Sequence, residues 1–228
     1  MKTELRDYLL SALSISLILV LTLLLISSLR SLVFSCFAEY SPIVHAIIFF
    51  FLYGLITACY LNILRKTFPF RAGSFAMNHP QFALWKHHAV VGELGKLALG
   101  LFFPVFLRPI YYSLLGAKVG KNVAIGGVIT DPMLTKIQDH AIIGQDSVIT
   151  SHTIVRDKIF LEAVYIEQGA TIGINAVIMP GVVVGKNSVV APGAIVLMDT
   201  KIPPNEFWGG VPAKKIKNIE PPVTESKG

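Results

Sequence analysis

The chain has 228 residues, of which 53% are hydrophobic and 15% charged, with a net charge of +6. Soluble globular domains usually carry about 25% charged residues, so this composition is too apolar for a wholly soluble chain and excludes a disordered one, which needs low hydrophobicity and high charge. The positive balance is local. In residues 65–116, Arg65, Lys66, Arg71, Lys86, Lys96 and Arg108 stand against Glu93 alone, whereas residues 117–228 hold 11 basic and 10 acidic side chains. No nucleic-acid-binding motif accompanies this band, so nucleic acid is not an expected partner. Cys36 and Cys59 are the only cysteines, which excludes a disulfide framework, a CxxC metal site and a thiolate nucleophile in the C-terminal half.

In chain order, Leu9–Leu29 is the first uncharged run, with 21 residues. As a helix it extends about 31 Å, enough for a bilayer core. Pro42–Leu64 is a second uncharged run of 23 residues. The first run is too long for a signal-peptide core and lacks a small-residue cleavage site, so residues 1–64 are expected to be a retained two-helix transmembrane hairpin. Lys2 and Arg6 precede it and Arg65, Lys66 and Arg71 follow it, which puts both ends in the cytoplasm by the positive-inside rule. The expected location is thus the cell membrane, multi-pass, with the remainder of the chain on the cytoplasmic side.

Residues 65–116 read as a basic, amphipathic juxtamembrane connector. Leu97–Leu107 is apolar but too short to span and is broken by Pro104, so it is expected at the interface. Trp85, Tyr111 and Tyr112 suit a headgroup belt, and the basic band favours an anionic lipid surface. A solvated basic flank that only sets topology is the equal alternative.

From Ile166 onward a six-residue period runs unbroken. Its first column is Ile166, Ile172, Ile178, Val184, Val190 and Val196; its fifth is Ala170, Ala176, Val182, Ser188, Ala194 and Thr200; its fourth is Gly169, Asn175, Gly181, Asn187, Gly193 and Asp199. The first column is β-branched and suits a buried strand. The fifth is small and suits a crowded corner. The fourth holds residues that tolerate positive φ and let the chain turn. A helical period cannot place these columns on fixed faces, whereas a three-faced coil with one hexad per face can. The register recurs at Ile137, Ile143 and Ile149, with Val119 and Ile125 before them. Asp131-Pro132 and Val155–Tyr165 interrupt it, and interruptions in a repeat map to loops, where function is sought.

These hexads, followed by Trp208-Gly209-Gly210-Val211-Pro212-Ala213-Lys214, resemble the hexapeptide-repeat acyltransferase superfamily. Residues 107–120 resemble a membrane-associated branch that includes the C-terminal acyltransferase-like domains of nonribosomal-peptide-synthetase-like proteins. The resemblance implies an all-β left-handed parallel β-helix over residues 117–212, preceded by the α-helical membrane hairpin and connector and followed by a tail at 213–228. It also implies a homotrimer that binds acyl-CoA, with acetyl-CoA the expected donor, in grooves between subunits. The expected activity is a membrane-anchored, acyl-CoA-dependent acyltransferase acting on a hydroxyl or amine presented at or near the bilayer.

A histidine general base is common in that family, and its ordinary pKa near operating pH suits the role. His152, in Thr150-Ser151-His152-Thr153, is the candidate base. It falls in the turn column, as does His140, and a turn histidine without chemistry is the competing reading. Asp157 is taken as the orienting carboxylate, with Glu162, Asp131 and Asp146 as rivals. The resemblance places Gly193, Ala194, Lys201 and Lys214 at the coenzyme. No metal is expected. A β-helix carbonic anhydrase would need three zinc-binding histidines, and this half of the chain has His140 and His152 alone. A non-catalytic, membrane-tethered trimeric scaffold is the alternative from a different class.

Overall fold

A computed structural model describes residues 4–100 and 102–220. Lys2, Leu101 and residues 221–228 of the tail, all part of the expectations above, lie outside them. The chain divides into two compact units: a helical one, residues 1–70 with 75–104, and a coiled one, residues 71–74 with 105–228.

In the helical unit, α1 spans Leu5–Phe37 and α2 spans Ser41–Thr67, joined by a 3₁₀ turn at Ala38–Tyr40. Pro42 sits in the first turn of α2, where its missing N–H costs nothing. Ser14 Oγ lies 2.8 Å from Tyr60 OH, 46 residues away, so α1 and α2 pack side by side. A third helix, α3 at Pro80–Gly100, joins them: Ile18, Tyr53, Leu61, Val91 and Ala98 form one buried cluster. Gly95 of α3 faces the Thr57 side chain of α2 so closely that a Cβ would collide with it; small residues let helices approach in this way.

The sequence reading of residues 65–116 as one surface connector is therefore revised. Its central part is a packed helix, with Phe82, Val91 and Leu99 fully buried. Tyr111 and Tyr112 are also buried rather than presented to headgroups. They lie on a short helix, α4 at Arg108–Leu114, in the coiled unit. Arg108 Nη1 donates to the Gly126 carbonyl at 2.7 Å, and Tyr112 OH accepts from Ile129 N–H at 3.2 Å. Terminal repeats need such a cover, because their outer faces have no neighbouring coil.

The coil consists of two- to four-residue strands stacked into three parallel sheets. The first face runs Lys118–Val119, Thr135–Ile137, Val164–Ile166, Val183–Val184 and Lys201–Ile202. The second runs Ala124–Ile125, Ile142–Ile143, Thr171–Ile172, Val189–Val190 and Glu206–Gly209, closed by the antiparallel strand Lys214–Asn218. The third runs Val128–Ile129, Val148–Ile149, Val177–Ile178 and Ile195–Val196. Ile166 pairs with Val184, and Val184 with Ile202. Each coil is thus three hexads.

The sequence columns take the expected positions. The β-branched column from Ile166 to Val196 is fully buried, as are Ala170, Ala176, Val182, Ser188 and Ala194. The fourth column turns at positive φ, between +55° at Asn175 and +76° at Gly181. Two places depart from the 18-residue step. Ile129 pairs with Ile149, and Ile137 pairs with Ile166. The extra residues form a 3₁₀ turn at Pro132–Leu134 and a β-hairpin of His152–Val155 and Lys158–Leu161. Both insertions leave the coil at the corner between its third and first faces.

Candidate active site

That shared corner brings Asp131 and His152 together. Asp131 follows strand Val128–Ile129, and His152 lies one coil on, after Val148–Ile149. His152 Nδ1 is 2.6 Å from Asp131 Oδ2. The same oxygen accepts from Thr130 Oγ1 at 2.7 Å and from Ser151 N–H at 3.1 Å. Asp131 is 3% exposed, while the His152 side chain keeps 25% exposure. The carboxylate is thus covered and multiply hydrogen-bonded, and the ring it holds reaches the surface. With a proton on Nδ1 directed at the carboxylate, the lone pair of the neutral ring is on Nε2. Thr150 Oγ1 donates to the His152 carbonyl at 2.8 Å, and Thr135 Oγ1 donates to the Asp131 carbonyl at 3.0 Å. These bonds fix the backbone on both sides of the pair.

His152 is not a turn residue. It opens a strand, paired with Leu161, because the chain leaves the hexad register at Ser151 to enter the hairpin. His140 does occupy a turn, with φ +62°. The carboxylate beside His152 also differs from the expectation. Asp157 follows Arg156 in the two-residue turn at the hairpin tip, where Val155 pairs with Lys158. A strand of this length separates the tip from His152 by roughly 13 Å. Asp131, a rival in the sequence reading, is the carboxylate in contact with His152. Glu162 donates its N–H to the Ser151 carbonyl. Asp146 sits in a turn at φ +54° and accepts from Gln145 Nε2.

The residues expected at the coenzyme are scattered along the coil. Gly193 forms a turn between the second and third faces, with φ +68° and open space where a side chain would project. Ala194 is fully buried, its N–H bound to the Ala191 carbonyl and its carbonyl to Val177 N–H. Both polar groups are spent inside the coil. Lys201 lies on the first face and donates to the Gly181 carbonyl at 2.5 Å. Lys214 begins the last strand, opposite Gly209. Ala213, just before it, donates its N–H to the Ile195 carbonyl at 2.8 Å. One feature that sequence reasoning missed is an open groove of about 570 Å³ on the first face, bordered by Lys118, Lys136 and Tyr165. Lys136 Nζ sits 4.7 Å above the Tyr165 ring. Stacking successive coils in register on this face is what joins these three.

Residues 163–197 match the family model described as bacterial transferase hexapeptide (six repeats). Within that stretch the chain carries a hexapeptide repeat. Among curated proteins it is similar to the delta-poly-L-ornithine synthetase of Acinetobacter baumannii (strain AB307-0294), 31% identical over 115 residues. That match covers 50% of this chain and 9% of the synthetase. Among solved structures it is similar to a hexapeptide-repeat acetyltransferase of Vibrio cholerae O1 biovar eltor complexed with acetyl coenzyme A, at 27% identity and TM-score 0.43, over 46% of this chain and 62% of that one. It is also similar to a galactoside acetyltransferase in complex with coenzyme A, at 22% identity and TM-score 0.42, over 73% and 83% of the two chains.

Proposed function

We propose that the protein is a membrane-anchored acyltransferase that moves an acyl group, in the first instance acetyl, from coenzyme A to a hydroxyl or amine. The observation that carries this reading is the 2.6 Å contact between His152 Nδ1 and the covered Asp131 carboxylate, at the corner of a hexapeptide-repeat coil. Asp131 holds the ring with Nε2 as proton acceptor. His152 removes the acceptor's proton as the acceptor's oxygen or nitrogen forms a bond to the thioester carbonyl carbon. The carbon–sulfur bond then breaks, and His152 returns the proton to the departing coenzyme A sulfur. Donor and acceptor supply all the remaining atoms, so no covalent enzyme intermediate is required.

Gly193, Lys201 and Lys214 are proposed at the donor, with the lysines as point charges for its phosphates. A left-handed winding and a trimer complete the reading. The outward apolar residues of the coil support assembly: Val128, Ile142, Ile174 and Leu197 are each about half exposed. Exposed apolar side chains that gather into a patch mark interaction sites.

The helical unit supports the membrane reading. Leu5–Thr67 is long and apolar enough to cross a bilayer by length and composition. Moreover, α1 buries Ser11, Ile18, Thr22 and Val33 while exposing Leu9, Leu13, Leu17, Val20, Leu23 and Leu24. The hydroxyls of Ser11 and Thr22 face inward while the leucines face outward, as expected in lipid. We read α1 and α2 as two spans with both ends cytoplasmic.

The test is release of free coenzyme A thiol from acetyl-CoA, with full-length protein in detergent and a total membrane extract as acceptor source. The reading expects release that His152→Ala lowers by about 10²–10⁴-fold, the usual contribution of a positioned base. Equal release by His152→Ala and wild type would overturn it. No release by wild type with any acceptor fraction would favour a scaffold.

A further inference from the structure

The helical unit holds a cavity of about 580 Å³ that acyl transfer at the coil does not use. It is formed by the start of α1, the end of α2 and the first half of α3. Leu10, Leu64, Phe68 and Leu84 give it apolar walls. One side is a relay of hydroxyl and imidazole groups. Ser14 Oγ donates its single proton to the Leu10 carbonyl at 2.9 Å and so accepts from Tyr60 OH at 2.8 Å. Tyr60 OH in turn accepts from His87 Nε2 at 2.9 Å, leaving His87 Nδ1 to accept from Ser11 Oγ at 3.3 Å. This proton order needs a neutral ring, and burial pushes the His87 imidazole below its ordinary value. The polar wall is therefore satisfied and uncharged.

Two charged residues line the cavity, Asp7 and Arg6. Asp7 is neutralised by the Lys86 ammonium in a nearly buried pair. Arg6 pairs with Glu4 at 3.1 Å, with both side chains about 60% exposed. Such exposed pairs are weak, and an incoming anion can displace Glu4. The volume corresponds to about twenty waters, which suits one alkyl chain and a small head but not two chains.

We propose that this cavity is a binding site for a single-chain amphiphile with an anionic head, the chain lying against Leu10, Leu64, Phe68 and Leu84 and the head at Arg6. That the ligand reaches it from a bilayer rests on reading α1 and α2 as membrane spans; the binding itself does not.

The test uses the full chain in nanodiscs of two-chain phosphatidylcholine and, as probe, an alkyl phosphate monoester with a diazirine in its tail. Light-driven labelling is expected to saturate, to map to peptides containing Leu64–Phe68 or Ala83–Leu84, and to be competed by oleate. Leu84→Trp, which fills the cavity, is expected to reduce labelling about tenfold or more, and Ala83→Leu carries the same test should Leu84→Trp fail to fold. Arg6→Gln is expected to weaken the phosphate probe about tenfold while leaving the matching neutral alcohol probe unchanged. Labelling that does not saturate, that survives both filling variants, or that two-chain phosphatidic acid competes equally well would overturn the proposal. Alkaline carbonate extraction tests the membrane reading separately: an extractable chain that still labels saturably keeps the site and loses the span.

Discussion

At the scale of single residues, the account turns on which carboxylate faces His152. Asp157 is five positions from His152 in sequence, but a β-hairpin carries it away. Asp131 is 21 positions away, and the coil brings it within 2.6 Å. His152 could be singled out as a candidate from its place beside an interruption in the repeat. The partner required knowing that one coil is 18 residues and that the turn at Pro132–Leu134 lengthens this one. Asp131→Asn is expected to lower kcat by about 10–100-fold with KM for acetyl-CoA little changed, because it disturbs the tautomer and aim of the ring rather than donor binding. Asp157→Asn is expected to leave kcat unchanged. Steady-state kinetics on both variants checks this.

At the scale of elements, the hexads were legible because three columns obey three different physical demands at one period. The fifth column is the most restrictive. Ala176 is fully buried at a corner, whereas the Val177 side chain points outward. Ala176→Leu is expected to destabilise the coil by about 1–3 kcal/mol through overpacking, while Val177→Leu changes stability little; thermal unfolding of the two variants distinguishes them. The last coil has its own lock. Glu206 accepts from Lys215 Nζ at 2.6 Å and from Trp208 Nε1 at 2.7 Å. These bonds, the lysine first, hold its carboxyl below the ordinary carboxylate value. A carboxyl lowered on folding adds stability above its unfolded value, about pH 4.3, and loses it as pH falls through the lower folded value. Protection from hydrogen exchange in strand Lys214–Asn218, measured against the intrinsic rate at each pH, is therefore expected to fall below about pH 4, and Glu206→Gln is expected to show that lower protection already at pH 7. By contrast, α3 escaped the sequence reading. Its buried face includes Gly92, Gly95 and Ala98, and small residues chosen for close helix contact leave little hydrophobic periodicity.

At the scale of the whole molecule, two surfaces call for partners: the leucine-covered outside of α1 and the apolar outer residues of the coil. The first was legible as a long uncharged run. The second was not, since nothing in the sequence columns marks Val128, Ile142, Ile174 and Leu197 as outward-facing until the coils are stacked. Full-length protein is expected to stay with membranes through alkaline carbonate extraction and to measure as three chains per particle by light scattering in detergent. A monodisperse monomer at working concentration would contradict the trimer.

Transfer of a labelled acetyl group from acetyl-CoA into a membrane extract, run side by side with wild type, His152→Ala and Asp157→Asn, decides whether the chemistry sits at His152. The account predicts a labelled product from wild type and Asp157→Asn, and almost none from His152→Ala despite retained acetyl-CoA binding. Full transfer by His152→Ala, or its loss in Asp157→Asn alone, would place the chemistry away from the corner where the two insertions meet.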